Sequence, residues 1–346
     1  MELFQPKQDD IPRFSIRDAS KFAKLYFGLA GEAKPLPSYY DQNFLLITPD
    51  GSFVIKIANA SRYVDQIHFE NTVLQYLAST NLHVPKVKES VNGTSYERVY
   101  DSNNKLFILR ILLYIPGTTV SNNDFIPTKL LIDIGTNAAK LDSELMKIEE
   151  VAPRLNSLWE LGNAFSSLEW VDYLPTVESQ KHAYDLLGIF KQSLQQNSDN
   201  LRKSLIHGYL NPANLLIKNI ASDEISGIID FGELKYSCRI FYLAIACMYV
   251  GLRRENPLEE FSDVILGYNL VIPLTDIELK VLFPSICARV CVSTIISHKN
   301  SSQDLENKYI LTKCKPNLEL LRAVAEIEPN YAYFFFKEKL KQSKAT

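Results

Sequence analysis

Two stretches decide the fold: His207-Gly208-Tyr209-Leu210-Asn211-Pro212-Ala213-Asn214-Leu215-Leu216 and, a little further on, Gly227-Ile228-Ile229-Asp230-Phe231-Gly232-Glu233. The second is a short apolar strand that delivers an acid, Asp230, into a turn that Gly232 permits. An acid at a strand end, with the amide of Asn214 upstream, forms a pair of oxygen donors suited to Mg2+. That ion takes one or two carboxylates, amide oxygens, waters and substrate phosphates in preference to a full protein cage. Either residue alone reads equally well as turn chemistry, Asp230 as a cap and Asn214 as an Asx turn.

Around these stretches, residues 204–233 alternate short apolar runs with turn residues, which predicts two short hairpin strands flanking a loop. From Pro116-Gly117 onward the rest of the chain is largely helical by pattern. Its most apolar run, residues 240–252, is too short to cross a hydrocarbon core and reads as a buried helix. The Lys-rich tail after Lys337 is expected to fray.

Before Pro116 the pattern changes. A helix opens at Ser15, with Asp18 placed to complete a capping box, and carries Ala19, Phe22, Ala23 and Tyr26 as its apolar stripe. Leu36-Pro37-Ser38 reads as a turn. Strand-like runs at 43–48 and 52–58 are joined by Pro49-Asp50-Gly51, a hairpin signal. A helix is expected over 61–79, then a hairpin through Asn103-Asn104 and an apolar run at 106–115. The boundary therefore falls between residues 1–115 and 116–346.

Two charged residues interrupt apolar patterns in the first part. In Val54-Ile55-Lys56-Ile57, strand alternation puts Lys56 on the face opposite its isoleucine neighbours, though a lysine at a surface edge would look the same. Glu70 shares a helical stripe with Ile67, Val73, Leu74 and Leu77. A carboxylate there is costly unless paired, and Lys56 is the expected partner. The alternative is a Glu70 at the stripe's edge that reaches out to solvent.

The stretch 207–233 resembles the aminoglycoside-phosphotransferase, choline-kinase and hydroxylysine-kinase superfamily, relatives of the protein kinases. Its loop reads His-Gly-Asp-x-x-x-x-Asn, followed by an Ile-Asp-Phe-Gly-Asp-like metal motif. By this resemblance Asn214 and Asp230 are metal ligands, with Glu233 a further candidate in place of the final aspartate. Tyr209 stands where the family keeps its catalytic aspartate. The run from Leu36 to Phe44 is similar to the nucleotide-loop strand of the hydroxylysine-kinase-like branch, which assigns Asp41, Gln42 and Asn43 to the nucleotide. Phe53-Val54-Ile55-Lys56-Ile57-Ala58-Asn59 is similar to its lysine strand, with Lys56 aimed at phosphates by Glu70. Leu158-Trp159-Glu160-Leu161 and Phe241-Tyr242-Leu243-Ala244-Ile245-Ala246 add matches, so the resemblance runs from Ser15 to beyond Val250.

The resemblance implies an α+β, bilobal, protein-kinase-like fold: an N-terminal nucleotide-binding lobe of antiparallel sheet plus helix, and a mainly helical C-terminal lobe with catalytic loop and acceptor site. It implies transfer of the γ-phosphate of ATP or GTP, with Mg2+, to a hydroxyl of a small amine-bearing acceptor of the hydroxylysine kind. A second reading is a nucleotide–Mg2+ binding module with impaired turnover. A general base contributes about 10²–10⁴-fold, and a phenol of pKa about 10 is a poor one near neutrality. A third is a relative that keeps the core while its acidic residues are structural. Arg110 and Arg289 could meet an anionic substrate group, but isolated arginines are more often structural.

Composition narrows the partners. A formal net charge of −3 offers no footprint for nucleic acid or an anionic membrane. With 46% hydrophobic and 22% charged residues the chain falls in the ordinary soluble class. The first residues have no basic stretch followed by an apolar one, so no signal peptide is read and a cytoplasmic protein is expected. The cysteines Cys238, Cys247, Cys287, Cys291 and Cys314 form no Cys-x-x-Cys pair and read as reduced packing residues.

Overall fold

The computed structural model describes residues 8–38, 40–122, 125–149, 159–254, 256–303 and 308–342. Tyr39 and Leu158, in two of the stretches quoted above, lie outside them. The capping box forms as the sequence spells it. The Ser15 hydroxyl accepts from the Asp18 N–H at 3.1 Å, and the Asp18 carboxylate accepts from the Ser15 N–H at 3.0 Å. Helix α1 (Ile16–Phe27) then buries Ala19, Ala23 and Phe27.

Strands β1 (Glu32–Leu36), β2 (Gln42–Thr48) and β3 (Gly51–Ala58) follow, with the Asp50-Gly51 turn closing the expected hairpin. Helix α2 (Val64–Leu77) leads to β4 (Val87–Lys88), β5 (Glu97–Tyr100) and β6 (Leu106–Leu113). The sheet order is β1-β2-β3-β6-β4, with β5 also on β6, and all pairs are antiparallel. Strand β1 escapes a pattern reading because it buries only Ala33, leaving no alternation to detect. One face of the sheet, with Phe44, Leu46, Ile55, Ile57, Leu109 and Ile111, packs with α1 in a single apolar cluster. On the other face Asn43, Lys56 and Arg110 lie side by side, in register across β2, β3 and β6.

After β7 (Thr118–Thr119) come α3 (Thr128–Leu145) and, beyond a 3-10 segment at Leu161–Tyr173, α4 (Val177–Asn197). Three short strands, β8 (Lys203–Ile206), β9 (Leu215–Ile217) and β10 (Ile225–Ile228), stand where two were expected, and a fourth, β11 (Lys235–Cys238), follows that stretch. They are nested, β9 pairing with β10 and β8 with β11. Because Ile206 registers with Lys235 and Leu215 with Ile228, the loops 207–214 and 229–234 are held against each other. This nesting builds the site.

Helices α5 (Arg239–Val250), α6 (Pro257–Val271), α7 (Asp276–Gln303), α8 (Lys308–Ala325) and α9 (Pro329–Gln342) complete the chain. They share one apolar core with α3 and α4, and Val73, Leu74 and Leu77 of α2 and Leu112 of β6 join it. Where α3 crosses α6, a Cβ on Gly135 would stand 1.9 Å from the Val264 carbonyl oxygen, so that close approach requires glycine.

Within α7, Asp276–Ser302 is long and apolar enough to span a membrane, but 94% of its apolar window is buried inside the protein. The tail expected to fray stays helical to Gln342 instead. Phe336 and Leu340 are buried there, and Lys337 and Lys339 reach Asp276 and Glu259 at 2.7 and 2.5 Å. None of the five cysteines is in a disulfide, and Cys238, Cys247, Cys287 and Cys291 are buried.

Candidate active site

Lys56 and Asp230 are 174 residues apart in sequence, and the structure places Lys56 Nζ 3.0 Å from Asp230 Oδ1. Lys56 is 9% exposed, in the middle of β3, whereas the Asp230 side chain is 44% exposed. The ammonium's charge, with its hydrogen bond, holds the Asp230 carboxyl down to about 2 against the opposing effect of burial. Asp230 sits at φ 63, in the left-handed region that only glycine enters freely. Such a conformation costs of order 1–3 kcal/mol and persists where surrounding structure imposes it. The surrounding bonds are visible: the Ile229 N–H donates to the Asn214 carbonyl at 2.9 Å, tying this turn to the 207–214 loop.

His207 ties it a second time. Its buried ring donates from Nε2 to the Ile229 carbonyl at 3.1 Å, while Nδ1 accepts from the Tyr209 N–H at 3.3 Å, the tautomer these two partners require. Burial lowers its pKa to about 4, so the ring is neutral at physiological pH. Phe231 packs edge-on against it at 4.6 Å. Gly208 has φ 78, and a Cβ there would lie 2.2 Å from the Glu233 carbonyl oxygen. The Tyr209 carbonyl in turn accepts from the Asn211 N–H and from Asn214 Nδ2, each at 3.0 Å. The backbone of Tyr209 is thereby fixed from both ends. Asn211 caps the short 3-10 turn Pro212–Asn214 by accepting from the Ala213 N–H at 2.7 Å.

Glu70 is buried, as its place on the apolar stripe required, but its partner is not Lys56. Arg110 Nη2 donates to Glu70 Oε2 at 2.5 Å, and Arg62 Nη2 donates to Oε1. Arg110 also donates to Asn71 Oδ1 at 2.9 Å. A planar guanidinium suits a buried carboxylate better than a lysine does, and two of them take both oxygens. Lys56 is left to Asp230.

The other residues assigned to the nucleotide divide. Asp41 Oδ1 accepts from the backbone and side-chain nitrogens of Asn59, each at 3.0 Å, with Arg62 Nη1 3.6 Å from Oδ2. Gln42 uses its amide on both backbone groups of Phe14, at 2.8 Å each, and so acts as a clamp on the chain before α1. Asn43 Oδ1, on the Lys56 face, is buried with no hydrogen-bond partner.

Glu233 also departs from expectation. Lys235, buried on β11, donates to it at 3.1 Å and lies 3.7 Å from Glu160. Glu160 accepts from Ser237 as well, at 2.6 Å. Among the described residues no three His, Cys, Asp or Glu side chains gather as a metal cluster. The residues present nevertheless fit Mg2+: Asp230 Oδ2 receives no hydrogen bond from any described residue, and Asn214 is drawn to the same turn. Phosphate and water would complete such a set.

Sequence reasoning missed Arg62, whose place ahead of α2 carries no periodic signal. It named His207 only as part of a motif, although a histidine directly before a glycine turn hints at a tether. Arg289 sits under Tyr209, its guanidinium carbon 5.7 Å from the ring centroid.

A family model described as "Phosphotransferase enzyme family" matches residues 32–269. The hydroxylysine kinase of Bos taurus is 29% identical over 343 residues, covering 91% of this chain and 90% of the relative. That of Xenopus laevis is 30% identical over 316 residues, covering 85% and 82%. Among solved structures, an amicoumacin kinase in complex with AMP-PNP, Ca2+ and Ami matches with a TM-score of 0.69 at 18% identity, covering 92% of this chain and 97% of that one. That likeness is one of fold, and it is the bilobal, protein-kinase-like α+β arrangement that the sequence implied. The relatives align along most of the chain and the family model spans both halves of the site, so the chain belongs to the phosphotransferase enzyme family, on its hydroxylysine-kinase-like branch.

Proposed function

We propose that this phosphotransferase moves the γ-phosphate of ATP or GTP to the hydroxyl of a small amine-bearing acceptor of the hydroxylysine kind. The observation that carries this reading is the Lys56–Asp230 contact, which brings a phosphate-binding cation and a metal-binding acid together at 3.0 Å. On this reading residues 1–115 serve the nucleotide and 116–346 the acceptor. Lys56 holds phosphate oxygens, and the unpartnered Asn43 Oδ1 beside it is open to a hydrogen-bond donor. Asn214 and Asp230 hold Mg2+, which when bound neutralises charge on the phosphates. Glu70, with Arg62 and Arg110, anchors the sheet to α2 beneath Lys56.

Tyr209 orients the acceptor hydroxyl through its phenol, which both donates and accepts hydrogen bonds. It does not supply a carboxylate base. Phosphoryl transfer tolerates that loss because positioning and electrostatics carry most of the catalysis. The relatives lend no support to the alternative of a nucleotide-binding module without turnover.

The test has two stages. Millimolar ATP or GTP with Mg2+ should raise the melting temperature, as any ligand specific to the native state does. No rise with either nucleotide would sink the proposal. Transfer to hydroxylysine is then compared between this chain and Tyr209→Asp. Turnover in both, faster in the variant by up to about 10²–10⁴-fold, is expected; turnover only in the variant would restore the impaired-module reading. Equal rates would refute the role given to position 209.

A further inference from the structure

Among the described residues, most buried cations meet a carboxylate. Lys56 meets Asp230, Arg62 and Arg110 meet Glu70, and Lys235 meets Glu233 and Glu160, whereas Arg239 forms no ion pair with a described residue and donates from Nη1 to Met146 Sδ at 2.7 Å. Arg289 on α7 also lacks one, and it is the more deeply enclosed of the two. Its side chain is wholly enclosed, at 0% exposure, yet no described carboxylate lies within ion-pair distance. Nη1 donates to the Trp159 carbonyl at 3.3 Å, and Nη2 donates to the Tyr249 phenol at 3.1 Å. Nε is buried and has no acceptor. Ring faces cover the rest: the guanidinium carbon is 4.8 Å from the Trp159 centroid, 5.6 Å from Tyr249 and 5.7 Å from Tyr209.

Aromatic faces offset part of a buried charge, but a carbonyl and a phenol do not neutralise it, and an unpaired buried ion is expensive. The position gives that cost a purpose. Trp159, Tyr209 and Tyr249 are each half-buried, so the cation lies one ring's thickness beneath a surface that includes the acceptor-handling residue. Its Nε–Nη2 edge is available to a planar anion, since Nε has no acceptor and Nη2 keeps a second N–H beyond the one given to Tyr249. A carboxylate fits such an edge with two parallel hydrogen bonds.

We propose that Arg289 binds the carboxylate of an amino-acid acceptor, with the Tyr209 ring as the cover that turns aside to admit it. The proposal rests on the phosphotransferase reading and deepens it: the acceptor is a hydroxylated amino acid, not a plain amino alcohol or an aminoglycoside. Binding the carboxylate would also couple acceptor recognition to the orientation of Tyr209.

The experiment compares hydroxylysine with its decarboxylated diamine on the wild-type chain, Arg289→Met and Arg289→Lys. Methionine keeps much of the stem's packing without the charge. Wild type should prefer hydroxylysine in kcat/KM by at least about 30-fold, the smaller end of what removing one partner of a buried charge pair costs. Arg289→Met should lose that preference, the hydroxylysine-to-diamine ratio of kcat/KM falling toward one through KM for hydroxylysine, and Arg289→Lys should recover part of it. Equal use of both acceptors by wild type would overturn the proposal, as would a matching loss on both acceptors in Arg289→Met. Calorimetric binding of the two compounds to wild type decides the matter without turnover and without any variant. If transfer fails but hydroxylysine alone binds, the phosphotransfer reading falls while the carboxylate site stands. If neither compound binds, the carboxylate site falls.

Discussion

Replacing Asp142 with asparagine should remove a pH dependence that the fold carries in its helical core. Asp142 on α3 is fully buried. Its Oδ2 accepts the Tyr268 phenol proton at 2.6 Å, but Oδ1 has no donor, and the nearby Tyr242 hydroxyl has no partner either. Burial raises the carboxyl to about 8, despite the Tyr268 hydrogen bond and the charge of Arg239. The folded chain therefore holds this proton more tightly than the unfolded chain, in which an aspartate titrates near 3.9. The stabilisation is complete below about pH 4, declines as pH rises toward 8, and is gone above it. Within that window one group changes stability by ~1.4 kcal/mol per pH unit, so ~3 kcal/mol separates pH 5 from pH 7. An asparagine has nothing to titrate there, and its amide oxygen still accepts from Tyr268. Urea unfolding of both proteins at several pH values gives the difference between them. That difference should move in the variant's favour by ~1.4 kcal/mol per pH unit between pH 5 and 7 and level off above 8. A fixed cost of burying the amide would offset the curve without tilting it. His207 tilts both proteins equally and in the opposite sense, since burial lowers it to about 4 and its contribution is lost as pH falls from 6.5 toward 4. A difference that does not vary with pH would refute the assignment of a raised pKa to Asp142.

Two other substitutions probe the site's supports. Glu70→Gln leaves Arg62 and Arg110 facing a neutral amide, and should cost about 3–5 kcal/mol in urea unfolding, the usual cost of removing one partner from a buried ion pair; a cost below about 1 kcal/mol would mean the arginines find other partners. Gly208→Ala forces a side chain to within 2.2 Å of the Glu233 carbonyl oxygen at φ 78. The left-handed backbone alone costs about 1–2 kcal/mol, so we expect at least that loss of stability and a larger proportional loss of phosphate transfer. A stable, fully active alanine variant would show that the two loops are not held as described.

What the sequence revealed was mostly what neighbours in sequence decide. Ser15 with Asp18 and Asp50-Gly51 are local arrangements whose energy lies within a few residues, and each formed as expected. The closeness of Asn214 to the Asp230 turn was legible because the 207–214 loop and the turn after β10 carry them, at a spacing a motif can record. The partner of Glu70 was not legible. The stripe argument was sound, since a buried carboxylate needs a cation, but several cations met that requirement. Choosing among them depends on which can satisfy two oxygens at once, and that is a property of tertiary distance. Arg62 comes from the loop before α2 and Arg110 from β6, positions that no periodicity connects. Their capture of Glu70 has a consequence for the proposed reaction. With Glu70 neutralised, Lys56 pairs with Asp230, so that the cation proposed for phosphate and the acid proposed for the metal compensate each other's charge. Neither then carries an unpaired charge while the cleft is empty, and both keep the positions they need. Phosphate would replace the carboxylate at Lys56, and the metal would replace the ammonium at Asp230. An exchange of that kind keeps the charge balanced at both residues, and it asks for little movement of the backbone that His207 and Asn214 hold in place.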